Sequence, residues 1–127
     1  MSDRWRRVKV AGVELDVPAD MARGTEQGMD GPTVTLTSPG LRLIIDHSAF
    51  ADPLTGYESQ RGFARRRDAI AGEAADVVSF RADDGTLVVA TRLPGPMTAV
   101  VHVAPDTDPE IARRMLRSIR PLTKREA

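Results

Sequence analysis

Residues 76–103, DVVSFRADDGTLVVATRLPGPMTAVVHV, decide the fold. They contain three apolar runs, residues 77–82, 87–93 and 97–103, rich in Val, Leu and Thr and each of a strand's length rather than a helix's. Between the first two runs, Asp83-Asp84-Gly85 supplies residues that tolerate the positive φ of a tight hairpin. Between the last two, Pro94-Gly95-Pro96 removes amide donors and ends the middle strand. The expectation is a meander of three consecutive antiparallel strands, with the rest of the chain built around it.

Towards the N-terminus, Val8 and Val10 alternate with Arg7 and Lys9. Ala11-Gly12 permits a turn, and Val13, Leu15 and Val17 then alternate with Glu14 and Asp16. This predicts a half-buried hairpin ended by Pro18. Residues 19–32, with Gly24, Gly28 and Gly31, lack either period and read as a loop. They contain neither a Gly-Lys-Ser/Thr nor a G-x-G-x-x-G phosphate-binding pattern. Val34 and Leu36 alternate with threonines, Ser38-Pro39-Gly40 turns the chain, and residues 41–47 follow as the other half of a second hairpin. Leu43 and Ile45 share a face with His47 while Ile44 lies opposite, so this strand is expected inside the sheet.

Two helices are expected. One covers residues 57–71, where Phe63 and Ile70 stand seven apart with alanines between them and Gly72 suits a left-handed cap. The other begins at Thr107 or Asp108 as N-cap, with Pro109 in the first turn and Glu110 three after Thr107 as in a capping box. Ile111, Met115 and Ile119 recur at intervals of four with Ala112 and Leu116 beside them, and Pro121 stops the helix. The chain therefore reads as one α+β domain: a mainly antiparallel sheet of about seven strands covered by two amphipathic helices.

At 127 residues a single domain buries enough surface to fold without staples. Cysteine is absent, which excludes a disulfide framework, a thiol nucleophile and a thiolate metal site. The start, MSDRWRRVKV, is charged and has no apolar signal region, and no apolar run is long enough to span a bilayer; the expected location is cytoplasmic, with no membrane partner. Eighteen basic residues balance eighteen acidic ones, so no net field draws the chain to a polyanion, and nucleic acid is not an expected partner.

The segment Val13-Glu-Leu-Asp-Val-Pro-Ala-Asp20, the paired strands after it and the closing Ile111-Ala-Arg-Arg-Met-Leu-Arg-Ser-Ile-Arg120 resemble the PsbP-like superfamily. In that group an early strand ending in a Pro-Ala-Asp-like turn and a last helix ending in Ser-Ile-Arg recur; Met21 stands where a tryptophan is often found. The resemblance implies an α/β/α sandwich with an antiparallel sheet between helices. It also implies a protein-binding role, such as an effector chaperone, adaptor or immunity-like protein of a bacterial secretion system. It carries over no catalytic residue.

Candidate chemistry is sparse. Asp46-His47-Ser48 has the letters of a hydrolase triad, but neighbouring strand residues point to opposite faces and cannot align. His47 and His102 could meet across the sheet only in a favourable register, so a hydrolase or isomerase using one of them in a sheet cleft is the alternative function. Asp106, Asp108 and Glu110 alternate like calcium ligands without the glycine and distal glutamate of an EF-hand loop. No cofactor is expected. Trp5 among Arg4, Arg6 and Arg7, together with Arg61, Arg65, Arg66 and Arg67 on one side of the expected middle helix, has the composition of a protein-binding surface. A non-enzymatic binding module with a partner carrying an acidic patch is the reading these residues favour.

Overall fold

A computed structural model describes residues 4–10, 12–23, 33–46, 62–70, 73–93 and 97–121. Strands β1 (Trp5–Val10), β2 (Val13–Pro18), β3 (Ala22–Arg23), β4 (Thr33–Ser38), β5 (Leu41–Asp46), β6 (Ala64–Ile70), β7 (Glu73–Arg81), β8 (Leu87–Leu93) and β9 (Met97–Val103) precede helix α1 (Glu110–Arg117) and a short strand β10 (Arg120–Pro121). Among the described residues they form a seven-stranded sheet, ordered β3-β4-β5-β9-β8-β7-β6, and a separate three-stranded sheet, ordered β1-β2-β10. Every pairing is antiparallel.

The meander forms as its turns dictate. Strands β7, β8 and β9 are consecutive neighbours, and β8 and β9 have the expected bounds. Gly85 takes φ 91°, while the Ala82 amide donates to the Thr86 carbonyl at 2.8 Å and the Asp84 carboxylate accepts from the Thr86 amide at 3.0 Å. Asp and Gly thus close this hairpin by the chemistry that their side chains, or the lack of one, allow. In the β4–β5 hairpin, Gly40 sits at φ 80° and a Cβ there would collide with the Thr107 hydroxyl. Strand β5 lies between β4 and β9, inside the sheet as its two apolar sides require.

One face of the large sheet carries Leu36, Leu43, Ile45, Met97, Ala99, Val101 and Val103, paired in register across β4, β5 and β9. Upon it pack Val13, Leu15 and Val17 of β2 and Ala112, Met115 and Leu116 of α1, with Ile119 just past the helix. Burying such side chains contributes about 1.5–3 kcal/mol each. The small sheet and α1 therefore form one layer over the large sheet. On its second face a smaller cluster centres on Val78 and Ala90, flanked by Phe63 and Val100.

The expected middle helix is corrected. Residues 64–70 are strand β6, at the edge of the large sheet, and α1 is the only helix among the described residues. Phe63 and Ile70, read as one helical stripe, differ by an odd number of positions, so on extended chain they point to opposite faces. Ile70 enters the main core and Phe63 the smaller cluster, which satisfies both at once. The nine-residue strand β7 supplies a ladder for seven residues of β6, with Ile70 opposite Glu73. Residues 57–61 and Gly72 of the expected helix lie outside the described residues.

Helix α1 begins one or two residues later than its capping residues suggest. Glu110 is its first residue, and the Asp108 carboxylate accepts from the Glu110 amide at 3.0 Å, whereas the Thr107 hydroxyl reaches Asp106 instead of closing a capping box. The helix stops at Arg117, and Arg120–Pro121 pairs with β2. Proline is compatible with that place because β10 is an edge strand. No helix among the described residues is long and apolar enough to cross a membrane.

Candidate interaction surface

The outer side of the small sheet and one flank of α1 form a continuous charged surface. On β1, Arg6, Val8 and Val10 face the same way as Val17, Leu15 and Val13, their partners on β2, and Arg7 and Lys9 are exposed on the opposite side. The half-buried Trp5 ring packs against the main core, and the Arg114 guanidinium lies over it at 3.9 Å from the ring centre. A cation–π contact of this closeness contributes about 0.5–2 kcal/mol. Arg7 donates to Asp16 at 2.9 Å and pairs with Glu14 at 3.3 Å. The Asp16 amide donates to the Ser118 hydroxyl at 2.8 Å, which joins β2 to the end of α1.

Glu14 is the most deeply buried charged side chain of this surface, with 4% of its area exposed. Its two oxygens face Arg7 and Arg120, the latter through an ionic contact rather than an aligned hydrogen bond. Hydrogen bonding to Glu14, then to Asp16, raises the pKa of the Arg7 guanidinium above its already high ordinary value. Since Arg120 is on β10, this carboxylate ties the segment after α1 to the N-terminal hairpin.

Across α1, Arg117 donates to Asp68 of β6 at 3.0 Å. Burial works against ionisation of Asp68, but the Ala69 amide and then Arg117 outweigh it and hold the carboxyl below its ordinary 3.8. Arg66 shares this face of β6 and also acts on Asp68 electrostatically. Trp5, Arg114, Arg117, Asp68 and Arg66 thus succeed one another over the helix-bearing layer.

The arginine cluster read on one helical side is divided by strand alternation. Arg66 faces α1, while Arg65 and Arg67 lie on the other face of β6 and both grip Asp76 of β7, at 3.0 and 2.9 Å. Asp76 is held below its ordinary value first by the Arg67 hydrogen bond, with Arg65 adding to it. Arg65 also stacks 5.8 Å from the Phe63 ring centre. Arg61 lies outside the described residues. Arg114 was missed because its role depends on a ring at the far end of the sequence.

The histidine reading finds no assembled chemistry among the described residues. His102 pairs with Arg42 on one side and Val88 on the other. Burial, then the Arg42 charge, pushes its pKa below the ordinary 6.5, against a weaker opposite pull from Asp84. Thr86 hydrogen bonds hold Asp84 itself below its ordinary range. His47 and Ser48 lie outside the described residues, and no group of three or more acidic or histidine side chains able to hold a metal ion occurs among those described. No protein-family model matches the chain, and no curated protein matches it.

Proposed function

We propose that this chain is a non-enzymatic protein-binding module whose contact surface runs from Trp5 over Arg114 and Arg117 to Arg66. The observation that carries the reading is the Trp5–Arg114 stack, which puts an aromatic anchor and a guanidinium together at one end of a surface otherwise charged. Tryptophan and arginine dominate interface energies most often, the one by its large rigid face and the other by bidentate bonds to carboxylates. Among the described residues Arg114 gives its charge to a ring and not to a carboxylate, which favours a partner with an acidic patch. A chaperone or adaptor role, as the PsbP-like resemblance implies, is the form of binding we propose; Arg65 leaves the proposed surface because it faces the other way.

The test is capture of a partner from native lysate, followed by calorimetry with Trp5→Ala, Arg114→Glu and Arg66→Glu. Each is expected to weaken binding at least about tenfold, and an Arg81→Glu control at the end of β7 to leave it unchanged. Wild-type affinity in all three variants would remove this surface from consideration.

A further inference from the structure

Among the described residues the outer edge of β1 adjoins no other strand, and a groove of about 320 Å³ runs along it, lined by Arg6, Arg7, Val8, Lys9, Val10 and Leu36. Its volume is at the lower end of ligand clefts, which hold ~300–1,000 Å³. The backbone at this edge is poised for pairing. The Ala19 amide donates to the Arg4 carbonyl at 3.1 Å, so even-numbered residues of β1 direct their hydrogen-bonding groups to β2. By the alternation of an antiparallel ladder, the amides and carbonyls of Trp5, Arg7 and Lys9 then face outward into the groove. On the inward side the groove is lined by half-buried Val8 and Val10, buried Leu36 and exposed Arg6, and its outer rim carries exposed Arg7 and Lys9.

From this juxtaposition we infer that β1 binds an extended segment of a partner protein by strand addition, and that the segment alternates small apolar side chains with acidic ones. Strand addition draws affinity from main-chain hydrogen bonds and selectivity from alternate side chains. Residues of the added strand that face inward would lie beside Val8 and Val10 over Leu36; those facing outward would lie beside Trp5, Arg7 and Lys9. Charge decides the occupant. A second copy pairing through β1 would set the cations Arg6, Arg7 and Lys9 of one chain against the same three of the other, and like charges placed opposite each other are destabilising. Edge charges of this kind repel indiscriminate pairing and leave an acidic strand as the complementary partner. At the other long edge, β6, Asp76 engages both Arg65 and Arg67; on β1, Asp16 and Glu14 hold Arg7, and Lys9 is the rim cation with no ion pair among the described residues.

This inference rests on the binding-module reading and names the chemistry of the partner segment. A fluorescein-labelled peptide of about six residues alternating glutamate and valine is titrated with the full chain and followed by anisotropy. Saturable binding is expected, weakened by added salt, with an otherwise identical lysine–valine peptide failing to bind. Methylating the alternate amides that face β1 should weaken binding at least about tenfold, because the ladder loses its donors. Lys9→Pro, which removes an outward amide without a β1–β2 bond, should bind at least about tenfold more weakly than Lys9→Gln, which removes only the charge. No saturation by the glutamate–valine peptide, or equal binding of the methylated and unmethylated forms, overturns the proposal whether or not Lys9→Pro folds. A dimer of the chain alone that Lys9→Pro dissolves would assign the edge to a second copy and overturn it too. If the peptide fails while Trp5→Ala and Arg66→Glu still impair a captured partner, the binding-module reading stands and only strand addition falls.

Discussion

Met115→Ala tests whether α1 is welded to the large sheet, on which the proposed interaction surface depends. Met115 has 0% of its area exposed and belongs to the main core together with Leu116, Ile119 and Leu43. Truncation removes three heavy atoms from this environment, a transfer loss of about 2 kcal/mol at ~0.8 kcal/mol per methylene equivalent. If the neighbours relax only partly, a void of roughly 50 Å³ adds about 1 kcal/mol at ~24 cal/mol per Å³. The expected loss is therefore about 3 kcal/mol, a large share of the ~5–15 kcal/mol that holds a domain of this kind. Trp5 is the one tryptophan in the chain and stacks on Arg114 of the same helix, so its fluorescence in a urea titration reports directly on helix docking. Arg113→Ala, on the same helix but outside the core, should change stability by less than about 0.5 kcal/mol. A Met115→Ala midpoint within about 0.5 kcal/mol of wild type, at unchanged slope, would refute the packing of α1 on the sheet.

Two further outcomes follow from buried charge. Glu14→Ala should destabilise by about 1–3 kcal/mol in thermal or urea unfolding, less than the ~3–5 kcal/mol of a pair buried on both sides, because Arg7 and Arg120 are half-exposed and regain water; Glu14→Leu should recover part of that loss, and a Glu14→Ala protein as stable as wild type would mean the link from β10 to β2 contributes nothing. His102 binds its proton more weakly folded than unfolded, so the unfolded chain takes up protons first as pH falls below the ordinary 6.5, and stability should decline from pH 7 towards pH 5; in His102→Gln that decline should be shallower, and identical slopes in the two proteins would show that burial of His102 has no energetic effect.

The meander was legible because each of its signals is local: three runs of strand length, an Asp-Asp-Gly turn and a Pro-Gly-Pro break act on residues adjacent in sequence, and β8 and β9 follow to the residue. The start of α1 was legible for the same reason, since Asp108 needs only the amide two positions on. Strand β6 was not. Its alanines and arginines favour helix on their own, and what makes them extended is cross-strand: Asp76 of β7 accepts from both Arg65 and Arg67, and Val77 faces Arg66. A usable signal was present in residues 70–73, where Ile-Ala-Gly-Glu can reverse a hairpin as readily as cap a helix.

Half of the candidate surface was legible on the same terms. Trp5 stands among arginines in sequence and belongs to the surface in space, whereas Arg65 and Arg66 are adjacent in sequence and end on opposite faces, because a strand divides what a helix would gather. Arg114 and Arg117 read only as the polar side of an amphipathic helix, and one of them meets a ring and the other a carboxylate from elements far away in sequence. In a helix the arginine run would be one basic face; in β6 Arg65 and Arg67 hold Asp76 of β7 while Asp68 holds α1 through Arg117, and it is at the edge of β1, with its outward amides, that we propose a partner strand to pair.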